Sequence, residues 1–150
     1  MTNDNAISTI NNLIETCKDG EKGFATAAEG LTDHTYKSKF QEFAQQRAKF
    51  SRELQDQVRA LGDDPEQTGS VGGVLHRGWI DIKSVVTGKS DHAILAEAER
   101  GEDVAKAAYE QALKETLPAA AAAVVRQQSE VVRQTHDYVR DSRDREKSAT

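Results

Sequence analysis

The sequence LIETCKDGEKGF, residues 13–24, recurs in weakened form 81 positions later as ILAEAERGEDVA, residues 94–105. The similarity continues without a gap to residue 59 in the first copy and to residue 140 in the second. It covers two helical segments and the turn between them, so it predicts a duplicated helical hairpin. Several small and polar residues recur at matched positions: Gly20 with Gly101, Glu21 with Glu102, Gln46 with Gln127, Arg52 with Arg133, and Asp56 with Asp137.

The composition favours helices over strands. Of the 150 residues, 37% are hydrophobic, 30% are charged and 5% are aromatic, and there are two prolines. The length suits a single domain, residues 1–150, with its own core. The net charge of −5 comes from 20 basic and 25 acidic residues. Because no basic stripe with interleaved aromatic residues is present, we expect no nucleic-acid partner.

The sequence predicts a cytoplasmic protein. Cys17 is the only cysteine, which excludes a disulfide framework within the chain and suits a reducing compartment. The opening MTNDNAISTI lacks the basic region and apolar run of a secretory signal. No stretch approaches the roughly 18 apolar residues that span a bilayer, so no membrane association is expected.

Apolar residues recur every three or four positions in four segments, which is the spacing of one helix face. The predicted helices cover about 6–30, 35–61, 91–114 and 118–143, and a crossover at 62–90 contains a short helix at about 71–86. Short turns make each pair of long helices antiparallel, and the long crossover lets the third helix run parallel to the second. That is the one-crossover topology of ferritin-like bundles. We therefore predict an all-α fold: a ferritin-like four-helix bundle of two repeated helical hairpins.

One polar residue interrupts the apolar stripe of each long helix near its middle. The four residues are Glu21, Arg47, Glu102 and Gln128. The repeat relates Glu21 to Glu102 and Arg47 to Gln128, so all four are predicted to meet in one buried polar layer. Buried charges must be paired, bound to metal or neutralised.

The partners in this layer decide between a metal site and an ion-pair network. A ferritin-like di-metal site takes one Glu from each of two helices and a Glu-x-x-His motif from each of the other two. Both Glu-x-x-His motifs are absent here. Arg47 is cationic and cannot bind a metal, but it can bridge Glu21 and Glu102 by charge-assisted hydrogen bonds.

The favoured interpretation is a structural network with no catalytic residue, no metal and no cofactor. Two alternatives stay open. In one, a helix rotates and these residues reach the surface. In the other, the bundle holds a di-iron centre with iron as its cofactor, and its ligands come from a wider set: Glu21, Glu99, Glu102, Glu130 and His136.

The short crossover helix supplies the predicted partner contact. Trp79 lies on its apolar face and is expected to dock on the bundle or to meet a partner. Its polar face carries Arg77 and Lys83 with Asp81 opposing them, so membrane attachment is not expected. Cys17 lies on an apolar stripe and is interpreted as a core residue.

Four strings of the sequence resemble a known family: DGEKGF (19–24), QQRAKF (45–50), GSVGGVLHRGW (69–79) and ERGEDVAKAAYE (99–110). The chain is similar over about residues 6–140 to a family of bacterial ferritin-like proteins that is catalogued as a domain of unknown function. Its members are often titled four-helix-bundle protein. The resemblance implies a ferritin-like fold in a bacterial cytosolic protein. It does not indicate which activity, if any, the protein has.

Two functions of different classes follow from these observations. The first is a non-catalytic bundle that acts by self-assembly into a homo-oligomer or by binding a protein partner, with a role in stress physiology by analogy. The second is a di-metal carboxylate protein, iron-binding or an oxidase, with a non-standard site.

Overall fold

The computed structural model describes residues 3–65, 78–88 and 90–149, and side chains through residue 146. Within these ranges the chain is helical and contains no strand, which confirms the predicted all-α class. Four long helices and one single-turn helix form a bundle: α1 (Asn3–Gly30), α2 (His34–Ala60), α3 (Ile82–Val85), α4 (Asp91–Ala112) and α5 (Ala119–Ala149). The last helix therefore continues beyond residue 143, where the sequence analysis ends it.

The directions of the long helices follow from the residues that meet across them. The end of α1 lies at the start of α4, where the backbone N–H of Thr32 donates to Asp91 Oδ1 over 2.9 Å. Further along, Cys17 contacts Tyr109, so α1 and α4 are antiparallel. The short turn at residues 31–33 makes α2 antiparallel to α1, and hence parallel to α4. Tyr109 contacts Gln128, and earlier on α4 Asp103 contacts His136, so α5 runs antiparallel to α4.

Local signals in the sequence set both ends of α2. Asp33 caps its start by accepting hydrogen bonds from the N–H groups of Thr35 and Tyr36. At its end, Gly62 has a φ of 88°, a backbone conformation that favours glycine. The N–H groups of Gly62 and Asp63 donate to carbonyls of the last helical turn, and this Schellman arrangement ends the helix before the crossover.

The core consists of two apolar clusters stacked along the bundle axis. One contains Phe24, Phe40, Phe43 and Trp79, whose rings make edge-to-face and tilted contacts. The other contains the aliphatic residues Ile10, Leu13, Ile14, Leu54, Val58, Val125 and Val132. Arg47 and Glu102 are buried at the level between the two clusters. Apolar packing on both sides therefore encloses a thin polar layer.

The described part of the crossover differs from the predicted helix at about 71–86. Gly78 has a φ of 96°, so no right-handed helix runs through it, and helix resumes only at Ile82–Val85. Residues 66–77, which include the GSVGGVL string and Arg77, lie outside the described residues.

No helix in the described portion combines the length and apolarity that crossing a membrane requires.

Candidate functional site

A buried ion pair joins α2 to α4 in the middle of the core. Arg47 Nη1 donates to Glu102 Oε2 over 2.8 Å, and Nη2 donates to Oε1 over 2.5 Å, so both carboxylate oxygens are engaged. The exposed fractions are 1% for Arg47 and 0% for Glu102. Burial disfavours the charge on Arg47, but the attraction and hydrogen bonds of Glu102 outweigh it and raise the pKa of the guanidinium. Arg47 therefore stays cationic at physiological pH.

Helix α1 makes room for this guanidinium at Gly20. A Cβ atom on Gly20 would lie 2.9 Å from Arg47 Nη1, closer than Cβ atoms normally approach another atom. One turn later on α1, the centroid of the Phe24 ring lies 5.4 Å from Arg47 Cζ, within the range of a cation–π interaction. Arg47 Nε has no hydrogen-bond acceptor among the described residues, so Glu102 and the Phe24 ring are the main groups that stabilise the cation.

A second buried hydrogen-bond chain connects all four long helices. Cys17 Sγ on α1 lies 3.1 Å from Tyr109 Oη on α4, and Tyr109 Oη donates to Gln128 Oε1 on α5 over 2.6 Å. Gln128 Nε2 then donates to Glu53 Oε1 over 2.9 Å and to the carbonyl oxygen of Phe50 over 3.3 Å, both on α2. The chain holds the helices in register, because each step needs a specific helix-to-helix distance.

Within this chain of hydrogen bonds, Cys17 carries the thiol, a group that acts as a nucleophile in many enzymes. Burial raises the pKa of its thiol to about 11, and the nearby Arg47 charge offsets only part of that effect. The thiol is therefore protonated at neutral pH, and only the thiolate is a strong nucleophile. The geometry assigns Cys17 to packing and hydrogen bonding, as the sequence analysis expected.

The four residues predicted to share one polar layer are not all brought together. Arg47 and Glu102 meet directly, and Gln128 is buried but bonds to Tyr109 and Glu53 instead. Glu21 is only half-buried. The neighbouring Gly20 occupies the position on α1 that faces Arg47, so Arg47 does not bridge Glu21 and Glu102.

These core residues do not fit a di-metal centre. Both oxygens of Glu102 accept hydrogen bonds from Arg47, and the guanidinium lies where a cation would have to bind. The carboxylate that the repeat relates to it, Glu21, is only half-buried and is not part of this ion pair. A metal at this level would have to displace a paired guanidinium that has no neutral form at physiological pH.

The other candidate ligands divide into two groups. Glu130 is exposed and pairs with Arg133 on its own helix. Glu99 and His136 instead come together with Asp103, and one ligand atom from each lies within 4.8 Å of the others. Asp103 is not among the ligands predicted from the sequence, although a carboxylate one helical turn after Glu99 signals a shared face.

Charged neighbours surround this second cluster, which we call the α4–α5 cluster (Glu99, Asp103 and His136). His136 Nε2 lies 2.7 Å from Asp103 Oδ1, and Nδ1 lies 3.1 Å from Asp137 Oδ1. The hydrogen bond with His136 lowers the pKa of the Asp137 carboxyl. Arg143 contacts Glu99 and also lies 2.8 Å from Asp144.

Trp79 docks on the bundle, the first of the two outcomes expected from its sequence, so its indole is not presented to a partner. Trp79 is 1% exposed, and its ring stacks edge-on against Phe24 at 5.0 Å between ring centroids. A Cβ atom on either Gly23 or Gly101 would lie 2.2 Å from the ring, so these glycines form the slot that admits it. The next residue, Ile80, is 72% exposed and is the large apolar side chain that this segment presents to solvent.

Comparison with known proteins identifies a family without assigning an activity. No curated protein matches the chain. The profile described as Domain of unknown function (DUF2383) matches residues 5–115, a range that includes all but the first two residues of α1 and the whole of α2, the crossover and α4. Since the match covers well over half of its length, the chain belongs to the DUF2383 family.

Proposed function

We propose that this protein is a non-catalytic, ferritin-like helical bundle in which an ion pair takes the place of a metal centre. The two antiparallel hairpins and the single long connection between α2 and α4 support the ferritin-like assignment. In such bundles, carboxylates from facing helices bind metals at the middle of the core. Here that level is held by Arg47 and Glu102.

The observation that carries the proposal is the two-bond fork between Arg47 and Glu102. It neutralises the one carboxylate that the helical repeat places deep in the core, and it does so without a metal. A di-metal centre at this level would supply the Lewis acid and the redox centre that ferritin-like bundles use for chemistry, and the ion pair occupies its place. The second alternative of the sequence analysis, a di-metal oxidase or iron-binding protein with a non-standard site, is disfavoured for this reason.

The proposed role is then that of a scaffold. We propose that the protein acts by self-assembly into a homo-oligomer or by binding a protein partner, in the bacterial cytoplasm. A role in stress physiology rests on fold analogy alone. The burial of Trp79 moves the proposed contact from the indole to the exposed Ile80 beside it.

Iron loading tests the proposal directly. Full-length protein purified without chelator is supplied with Fe(II) and oxygen, and bound iron is measured by elemental analysis. The comparison variant is the double substitution Arg47→Met with Glu102→Met, which removes the core carboxylate but strands no buried charge. We expect both proteins to hold the same amount of iron, because no iron binds at Glu102.

A third protein, the variant Asp103→Asn, shows whether any bound iron lies at the α4–α5 cluster instead of in the core. Asp103→Asn disables the α4–α5 cluster and leaves the core ion pair untouched, because Asp103 is a surface residue. Near-stoichiometric iron that persists in Asp103→Asn and vanishes in the double variant would overturn the proposal in favour of a di-metal carboxylate protein. Iron that vanishes only in Asp103→Asn would leave the core proposal standing.

A further inference from the structure

The α4–α5 cluster has the composition and geometry of a metal site, and the core ion pair plays no part in it. Glu99 and Asp103 lie one turn apart on α4, and His136 faces them from α5. One imidazole nitrogen and two carboxylate oxygens lie within 4.8 Å of one another. Zinc binds such ligands with bonds of about 2.0–2.2 Å, so small side-chain rotations would close this set around one ion.

The orientation of His136 is a separate observation that points to a ligand. Its side chain is 9% exposed, and its ring is held at Nδ1 by Asp137 Oδ1 at 3.1 Å. That contact aims Nε2 at Asp103 and Glu99. A carboxylate that fixes the far nitrogen of a histidine is the usual outer-shell partner of a metal-binding imidazole.

The cluster is also accessible to solvent, and an entering cation can displace the Arg143 guanidinium that now contacts Glu99. Asp103 is 59% exposed, so an ion can enter from solvent. Arg143 contacts Glu99 through Nη1, while Nη2 lies 2.8 Å from Asp144 Oδ1. An entering cation can therefore replace Arg143 at Glu99, because the guanidinium keeps a carboxylate partner in Asp144.

We propose that Glu99, Asp103 and His136 bind one divalent first-row transition ion of borderline softness, such as Zn²⁺. The mixed nitrogen and oxygen donors suit such an ion better than Mg²⁺ or Ca²⁺, which prefer oxygen alone. With three protein ligands, water fills the remaining coordination position. The bound ion joins α4 to α5 and goes beyond the proposed scaffold function, which does not depend on it.

Calorimetric titration of the chelator-treated full-length protein tests this site, with Zn²⁺ as the probe and Co²⁺ as a spectroscopic substitute. We expect one equivalent to bind and the Co²⁺ complex to show visible d–d absorption. Asp103→Asn and His136→Asn should each weaken binding by more than about 100-fold, since each removes a ligand. Asp137→Asn should weaken it by about 10–100-fold, the effect typical of an outer-shell partner.

Two further variants separate a built site from general attraction between cations and an acidic surface. Arg143→Gln should tighten binding severalfold, because the guanidinium no longer competes for Glu99. His34→Asn is the matched control: it removes an exposed histidine at the start of α2 and should leave the affinity unchanged.

Circular dichroism checks that each variant is folded, and Asp103→Asn is the safest of them because its side chain is largely exposed. The proposal is overturned if no ion binds at millimolar concentration, or if Asp103→Asn binds as tightly as the natural sequence. The Arg47→Met, Glu102→Met double variant should keep its Zn²⁺ affinity. If only the double variant lost its Zn²⁺ affinity, the metal would bind in the core. That result would contradict both the metal site at the α4–α5 cluster and the proposed scaffold function.

Discussion

Arg47 is the residue on which the stability of the core most depends. Its guanidinium is removed from water, and its charge is compensated mainly by Glu102. Breaking such a pair by deleting one partner leaves the other charge buried and uncompensated, and this costs more than the pair itself contributes. Replacing Arg47 alone should therefore destabilise the protein much more than replacing Arg47 and Glu102 together.

We predict that Arg47→Ala lowers the free energy of unfolding by about 3–5 kcal/mol, because it strands the carboxylate of Glu102. Replacing both residues with methionine should restore most of that loss, since a buried pair and apolar side chains of similar volume are often close in stability. Urea denaturation followed by circular dichroism measures both.

Arg59→Ala serves as the control for this prediction. Arg59 forms an exposed pair with Asp56, and pairs of that kind contribute about 0–1 kcal/mol. A loss below 1 kcal/mol for Arg47→Ala would mean that the guanidinium is not buried with Glu102 in solution.

At the scale of elements, the largest side chain that attaches the described part of the crossover to the bundle is the indole of Trp79. Trp79 enters the slot between Gly23 on α1 and Gly101 on α4, where any Cβ atom would overlap its ring. A few residues later, the Glu97 carboxylate on α4 accepts a hydrogen bond from the backbone N–H of Asp81 over 3.0 Å. The indole and this hydrogen bond together hold the described part of the crossover across α1 and α4.

We predict that Gly101→Ala destabilises the protein by about 1–3 kcal/mol, the range for overpacking a filled core. The better helix propensity of alanine offsets up to about 1 kcal/mol of that cost. Trp79 is the only tryptophan, so its fluorescence reports on the slot alone. Its emission maximum should shift to longer wavelength in the folded variant, because the displaced indole meets water.

Gly62→Ala provides the matched control. A Cβ atom there meets nothing within 4 Å, but the φ of 88° strains any other residue. It should lower the stability without moving the native emission maximum. An unchanged maximum in Gly101→Ala would show that the slot is not closed around Trp79.

The sequence predicted the all-α class because apolar spacing at three and four residues is a strong, local signal over four segments. The side chains at the centre were harder to predict, since adjacent residues on a helix point about 100° apart. That difference separates Gly20, which faces Arg47, from Glu21, which is only half-buried. The repeat matched both residues to Gly101 and Glu102, so it could not reveal that the two copies use different members of the pair.

Contacts between elements were equally hard to predict from the sequence, as the α4–α5 cluster and the crossover show. Asp103 and His136 come from separate helices, and no periodicity relates residues so far apart in sequence. The burial of Trp79 depends on the absence of side chains at Gly23 and Gly101 on two different helices. Sequence spacing predicts that Trp79 lies on the apolar face of the crossover segment, but it does not identify the slot that receives the indole.

At the scale of the whole molecule, 30% of the residues are charged and the net charge is −5. Among the residues that the structure describes, only Ile80 and Leu113 are large apolar side chains left exposed, at 72% and 42%. Stable homodimers bury about 800 Å² per partner, and their interfaces are more apolar than ordinary surface. With only these two large apolar side chains exposed among the described residues, we expect association between copies to be weak.

We predict a monomer–dimer equilibrium with a dissociation constant in the micromolar range or above, equivalent to about 8 kcal/mol or less of binding free energy. Analytical ultracentrifugation over a range of concentrations measures it. Ile80→Ser should weaken association, because Ile80 stands on the segment that Trp79 fixes to the bundle and is the most exposed large apolar residue described. Leu113→Ser, the matched substitution of the other exposed residue, should have little effect. An oligomer that persists at nanomolar concentration in both variants would show that self-assembly uses a different surface, and that Ile80 does not mediate it.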